Sequence, residues 1–112
     1  MRQKDRRGVV VFGFNNYKSM KLKYAVKPTN RFLKDYKLME KRRLDISLLD
    51  DIITKLACGI PLPASNRDHA LVGNYKGHRS CHIQPDWILI YRIDDGVLVL
   101  SLTRTGSHSD LY

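Results

Sequence analysis

Apolar and polar positions after residue 20 predict a strand followed by a helix. Lys21 to Lys27 changes between polar and apolar side chains with a period of two, which suits a half-buried strand because successive side chains point to opposite faces. Pro28 ends this strand, and the following apolar residues recur at helical spacing. They are Phe32, Leu33, Tyr36 and Met39. The pattern predicts a first helix from about residue 29 to 41.

A second helix is predicted to begin at Asp45 or Ser47, since either side chain can accept a hydrogen bond from an amide of the first turn. Its apolar face carries Leu49, Ile52, Ile53 and Leu56. Three strand candidates follow: Asn74 to Ile83, Trp87 to Ile93 and Val97 to Thr103. The order β-α-α-β-β-β predicts an α+β fold, with two N-terminal helices on one face of a four-stranded, mainly antiparallel sheet. The other face would remain free for a ligand.

The length of 112 residues suits one domain, which we place at residues 20–112. Residues 1–19 combine a basic start with an apolar patch and are expected to form an N-terminal extension. An overlong start, an arm and an extra packed strand are all compatible with this stretch.

Charge indicates the class of partner. Twenty Lys and Arg against eleven Asp and Glu give a formal net charge of +9, which favours a polyanion such as nucleic acid or the ribosome. An acidic protein or a membrane surface is the weaker alternative. The first helix carries a basic stripe that could lie on ribosomal RNA or could simply be a solvated face. It consists of Arg31, Lys34, Lys37 and Lys41 and continues into Arg42 and Arg43.

Cysteine usage and hydropathy indicate the compartment. Cys58 and Cys81 form no CxxC pair and no dense disulfide pattern, which suits a reducing cytosol. The apolar runs are far shorter than the roughly 20 residues that span a bilayer, and the start lacks a signal-peptide core. We expect a cytoplasmic protein that does not contact the membrane.

Three histidines after residue 66 are the strongest candidates for chemistry: His69, His82 and His108. Metal-free RNA cleavage needs a base for the ribose 2′-hydroxyl, an acid for the leaving 5′ oxygen and a cation for the phosphate. Histidine suits both proton roles. Arg104 could supply the cation, and Asp86 could orient a histidine or join the proton transfer.

Each of these residues also has an ordinary explanation. Histidines are often structural, Asp86 is a natural turn residue, and Arg104 could pair with a carboxylate. A zinc site is less favoured because the chain lacks HxxxH, HExxH and paired CxxC spacings. Cys81 is expected to be a strand residue, not a nucleophile, and His78 is given no catalytic role.

Several separated motifs resemble the YafQ family of the RelE/ParE toxin superfamily. They are Gly73 to Tyr91 (GNYKGHRSCHIQPDWILIY), Arg104 to Tyr112 (RTGSHSDLY), Asp68 to Leu71 (DHAL) and Phe32 to Lys37 (FLKDYK). The resemblance covers about Met20 to Tyr112. Three positions depart from the family pattern: Tyr112 stands where a Phe is usual, Ser80 stands where a Glu is common, and His78 occupies a variable position.

The resemblance implies a RelE-like fold and a type II toxin that cleaves messenger RNA in the ribosomal A site, without metal or cofactor. It assigns proton transfer to His69, His82, Asp86 and His108, and phosphate stabilisation to Arg104. Trp87 would support the site and Tyr112 would stack near a base. Substrate contacts are also expected from Lys34, Lys37, Lys41 and Arg79. The implied partners are an acidic antitoxin, the ribosome with messenger RNA, and operator DNA only through the antitoxin.

Two other functions remain open at this point. A non-catalytic toxin of the same fold, resembling the ParE branch that acts on gyrase, would have no need for the histidines, Asp86 and Arg104 together. A basic RNA-binding module would bind RNA and leave it whole.

Overall fold

The computed structural model describes residues 22–112 and the backbone of two short strands before them. These are β1 (Arg2–Lys4) and β2 (Val10–Phe12), which pair antiparallel. The predicted extension at residues 1–19 falls largely outside the described residues. In the described part of the chain, no helix combines the length and apolar character needed to cross a membrane.

Two helices follow strand β3 (Ala25–Pro28), close to their predicted positions. Helix α1 (Asn30–Lys41) is capped by Thr29, whose hydroxyl accepts from the amide of Phe32. Helix α2 (Ile46–Ala57) is capped by Asp45, which accepts from the amide of Ser47. Of the two proposed caps for α2, Asp45 is therefore the one used.

The main sheet has five strands in the order β3-β7-β6-β5-β4. The strands that join β3 in this sheet are β4 (His69–Ala70), β5 (Arg79–Gln84), β6 (Trp87–Asp94) and β7 (Val99–Gly106). All neighbours pair antiparallel except β3 and β7, which are parallel. The predicted α+β fold with a mainly antiparallel sheet is confirmed, and the two-residue strand β4 adds a fifth strand to the four predicted.

Two local differences from the predicted elements lie near the candidate site residues. The strand predicted from Asn74 begins only at Arg79, because Gly73–Tyr75 forms a 3-10 turn and Gly73 and Gly77 adopt positive φ angles. After β7, a short helix α3 (His108–Leu111) ends the chain, whereas no helix was predicted there.

The core lies between the two helices and one face of the sheet. Phe32, Leu49, Ile53, Leu89 and Leu100 are among its fully buried residues. The opposite face is partly covered, contrary to the expectation of a free surface: Ile88 and Ile90 are buried under Leu111, Leu71 and Tyr75. The C-terminal helix and the 71–75 loop therefore cover this second face, and they bring polar residues to it.

Candidate active site

Strand register aligns the candidate residues on the face of the sheet opposite the helices. His69 pairs with Ser80, Ser80 with Ile90, and Ile90 with Arg104, so one row crosses four strands. Two residues further along, a second row joins His82, Ile88 and Gly106. Paired residues share a face, and neighbouring strands lie about 4.8 Å apart. His82 is thus roughly 10 Å from the strand end that leads to His108.

His69 and His82 are held in the same way by backbone carbonyls. The Nδ1 of His69 lies 2.7 Å from the carbonyl oxygen of Arg67, and the Nδ1 of His82 lies 3.1 Å from that of Pro85. A carbonyl oxygen can only accept, so each Nδ1 carries the proton and donates it. In the neutral ring, Nε2 is then the nitrogen that can accept a proton.

The tripeptide Ser65 to Arg67 connects these two histidines. The side-chain amide of Asn66 donates to the backbone oxygen of His82 at 2.8 Å. The backbone oxygen of Arg67 accepts a hydrogen bond from Nδ1 of the His69 ring. Arg67 has a φ of 49°, a left-handed conformation that is uncommon for a residue other than glycine. This turn therefore contacts the ring of His69 through its backbone and the backbone of His82 through the side chain of Asn66.

His108 is brought to the same end of the sheet by the turn between β5 and β6. Oδ1 of Asp86 in this turn accepts from the backbone amide of His108 at 3.0 Å. Asp86 and His108 are both exposed. Asp86 is thus attached to the start of α3 through the backbone amide of His108.

A capping box and an ion pair fix helix α3. The hydroxyl of Ser107 accepts from the amide of Asp110, and Oδ2 of Asp110 accepts from the amide of Ser107. The guanidinium of Arg42 donates to both carboxylate oxygens of Asp110, at 2.7 and 3.0 Å. This contact with Arg42 holds the pKa of Asp110 well below its usual range.

Arg104 is held by a buried carboxylate on helix α1. Its Nε and Nη2 donate to the two oxygens of Asp35, at 2.7 and 3.3 Å, and the amide of Thr105 donates to the same carboxylate. Only 7% of Asp35 is exposed. The hydrogen bonds that Arg104 donates to Asp35 raise the pKa of Arg104, which stays a cation. A guanidinium has five N–H donors, so Asp35 leaves some of them for a ligand.

Trp87 lies beneath the site and does not face solvent. It is 2% exposed, and its indole Nε1 donates to the hydroxyl of Thr105, which in turn donates to the backbone oxygen of Ile88. These bonds join β6 to β7 beside Arg104.

Aromatic rings form the exposed border of the site. The ring of His108 lies 4.8 Å from that of Tyr112, centroid to centroid, and Tyr112 meets Tyr75 edge-on at 5.9 Å. More than half of Tyr112 is exposed. Partial burial of its hydroxyl raises the pKa of Tyr112, so this group stays protonated at neutral pH. Tyr112 therefore leaves a ring surface open beside His108.

The remaining predicted residues are not brought to this face. Arg79 pairs with Tyr91 on the helix side of the sheet and donates to Asp68 at 3.1 Å. Lys34, Lys37 and Lys41 are exposed on α1, which also packs on the helix side.

Cys81 is fully buried, and burial raises the pKa of its thiol to about 12. Its thiolate population at neutral pH is therefore very small, as expected for a strand residue that is no nucleophile. Among the described residues, no group of three or more His, Cys, Asp and Glu side chains is arranged to hold a metal ion.

Sequence reasoning missed three residues that organise the site: Asp35, Arg42 and Tyr75. A signal for Asp35 was present, because a carboxylate stands among the apolar positions of the first predicted helix. Arg42 had no comparable signal, since its partner Asp110 is distant in sequence. Tyr75 was assigned to a strand that proved to be a turn.

Comparisons with known proteins identify the family of this chain. Residues 24–112 match the family model described as the bacterial toxin of type II toxin–antitoxin system, YafQ. The mRNA interferase toxin YafQ of Escherichia coli K12 is 42% identical over 85 residues, which are 75% of this chain and 90% of that protein.

Two solved structures are also similar. A crystal structure of YafQ from Escherichia coli BL21(DE3) has a TM-score of 0.75 at 39% identity, covering 80% of this chain and 98% of that one. YafQ in the Escherichia coli DinJ–YafQ toxin–antitoxin complex has a TM-score of 0.74 at 39% identity, covering 81% and 99%. The chain described here belongs to the YafQ family of bacterial type II toxin–antitoxin toxins.

Proposed function

We propose that this protein is a messenger RNA endoribonuclease that acts on the ribosome and inhibits translation. One observation carries the proposal: a single sheet face and its adjoining C-terminal helix hold His69, His82, Arg104 and His108. A toxin that acts only by contact would have no need for these groups on one surface. Similarity to an mRNA interferase toxin supports the same activity.

The reaction proposed is attack of the ribose 2′-hydroxyl on the adjacent phosphorus. A general base removes the 2′ proton, the P–O bond to the 5′ oxygen breaks, and a general acid protonates that oxygen. The products are a 2′,3′-cyclic phosphate and a 5′-hydroxyl end. The protein supplies the proton transfers itself, so no metal or cofactor takes part.

Residue roles follow from the hydrogen bonds. The Nδ1 protons of His69 and His82 are committed to carbonyl oxygens, so Nε2 of either ring can act as base or, once protonated, as acid. His108, beside the exposed ring of Tyr112, is the third proton carrier. Asp86 acts by holding the His108 segment in place.

Arg104 stabilises the charge that grows on the phosphate oxygens. Its link to Asp35 fixes the guanidinium plane before substrate arrives, so little side-chain freedom remains to be lost on binding. Because Asp35 neutralises part of this cation, the donors that remain contribute mainly through directed hydrogen bonds to phosphate.

The partners proposed are the ribosome with its messenger RNA, and an acidic antitoxin. A net charge of +9 favours both ribosomal RNA and an acidic polypeptide. The YafQ of Escherichia coli forms a toxin–antitoxin complex with DinJ, which supports a protein partner of this kind. Any operator DNA would be bound through the antitoxin, and we place the protein in the cytoplasm.

Primer extension on messenger RNA, with and without ribosomes, tests the nuclease function. The samples are the unaltered protein, His108→Ala and a control, Lys55→Gln, on helix α2 away from the site. EDTA is added to pre-formed ribosome complexes. We expect ribosome-dependent cuts that persist at low free metal, disappear with His108→Ala and remain with Lys55→Gln. Intact RNA in every lane would instead favour a toxin that acts by contact alone.

A further inference from the structure

A cavity beside His82 is formed by two segments that carry polar side chains. Residues 65–67 form one wall and residues 82–85 the other, and the cavity, which is open to solvent, has a volume of about 320 Å³. This volume lies at the lower end of the range for small-ligand sites. His82 itself lines the cavity, so a group bound there would be next to the site of proton transfer.

The side chains of this cavity have the chemistry that reads a nucleobase. Gln84 and Arg67 are both exposed, and Ile83 and Pro85 add apolar surface. Gln and Arg side chains pair with base edges through two hydrogen bonds, while a flat base can pack on apolar atoms. A phosphate site would need donors alone, whereas the Gln84 amide also offers an acceptor.

Local geometry supports a binding role. Arg67 keeps a left-handed φ of 49° although it is no glycine, and such residues are concentrated at ligand sites. Its backbone oxygen holds the His69 ring, and Asn66 holds the backbone of His82. The turn that forms the cavity wall is therefore the turn that positions both histidines.

We infer that this cavity is a base-reading subsite, in which Gln84 and Arg67 recognise one nucleobase of the messenger RNA next to the scissile phosphate. The inference rests on the proposed function and deepens it by naming residues that set sequence preference. The base lies between the apolar atoms of Ile83 and Pro85 and the two polar side chains. Occupancy of the cavity fixes the register of the RNA relative to His82.

Single-turnover cleavage of ribosome-bound messenger RNAs tests the subsite. Each RNA carries one base change in or next to the A-site codon, and the rates for all four bases are compared at each position. The variants are Gln84→Ala and Arg67→Asn, because Asn tolerates the left-handed backbone conformation. The control is Arg92→Asn on strand β6, which lies outside the cavity. Thermal unfolding verifies that every variant is folded.

At one position, we expect the unaltered protein to prefer its best base over its poorest by about tenfold or more. Gln84→Ala and Arg67→Asn should reduce this ratio towards one, while the rate on the poorest base stays within a few fold. Arg92→Asn should keep the ratio.

An unchanged ratio in both cavity variants, or an equal loss of rate on all four bases, would overturn the subsite and leave the nuclease function standing. Absence of cleavage by the unaltered protein would overturn the proposed function and the subsite with it.

Discussion

His82 combines a structural hydrogen bond with a proposed proton transfer, and the two can be separated by substitution. In His82→Asn, the amide nitrogen replaces Nδ1 and can still donate to the oxygen of Pro85, but nothing replaces Nε2. We expect cleavage on ribosomes to fall about 10²- to 10⁴-fold, as for loss of a general acid or base.

The free energy of unfolding of the same variant, measured with denaturant, should change by less than about 1 kcal/mol because the hydrogen bond to Pro85 survives. Lys55→Gln again serves as the control outside the site. Near-normal cleavage by His82→Asn would show that the ring has only a structural role.

Asp50 gives a pH-dependent prediction. Its carboxyl is 9% exposed and accepts from the hydroxyl of Tyr36 at 3.0 Å, and burial raises the pKa of Asp50 to about 6. Because this pKa is raised, the protonated carboxyl of Asp50 stabilises the fold fully below the pKa of Asp in the unfolded chain, about 4. This stabilisation is lost as the pH rises through about 6. Asp50→Asn removes this loss, and an amide oxygen can still accept from Tyr36.

In urea at pH 8, the free energy of unfolding of Asp50→Asn should therefore exceed that of the unaltered protein by about 1 to 3 kcal/mol. The difference should disappear below pH 4. The control is Asp51→Asn, whose carboxylate is exposed and should give little change at either pH. An equal gain at both pH values would mean that the benefit does not come from ionisation.

At the residue scale, sequence reasoning identified side chains better than their partners. The histidines, Asp86 and Arg104 could be named because their chemistry is visible in the residue type. Their positions relative to one another depend on strand register, which joins residues far apart in the chain. The pairing of Arg104 with Asp35 depends on how α1 lies against β7, and no local pattern specifies that contact.

Long periodic elements were predicted well, and short ones were not. Helices α1 and α2 have caps and three turns of periodic apolar residues, so they could be located within a few residues. Strand β4 has two residues and α3 has four, too few for a period to be recognised. These two short elements carry His69 and His108, so the least predictable parts of the fold position two of the three proposed proton carriers.

Helix α3 is too short to be stable by itself, and its position depends on Arg42. In Arg42→Gln, Asp110 loses both charged hydrogen bonds, and the segment that carries His108 and Tyr112 becomes looser. The pair is partly exposed, so global stability should fall by no more than about 1 kcal/mol. We expect a severalfold lower rate of cleavage.

Hydrogen exchange tests whether the change is local. The amides of Asp110 and Tyr112, which donate within α3, should exchange faster in Arg42→Gln than in the unaltered protein. Arg43→Gln is the matched control at the neighbouring position, because Arg43 is exposed and makes no ion pair in the described part of the chain. A loss of activity without faster exchange would contradict this account.

For the whole molecule, the basic residues of α1 and the proposed catalytic residues lie on different surfaces. The histidines lie on one face of the sheet, while Lys34, Lys37 and Lys41 are exposed on α1 at the other face. A ribosome that surrounds the toxin would contact both. We therefore expect the lysines to contribute to docking, which saturates with ribosome concentration, and the histidines to contribute to the cleavage rate of the bound complex.

Replacing these three lysines with glutamine should weaken ribosome binding and leave the maximal cleavage rate nearly unchanged. If each lysine neutralises one phosphate, the negative slope of log affinity against log salt should become shallower by about two to three. Lys23, Lys27 and Lys55, replaced together, give a control with the same net charge. Because long-range attraction depends on net charge, both triple variants should associate more slowly at low salt. Equal salt slopes for the two would mean that α1 is a solvated face and that ribosome docking uses another surface.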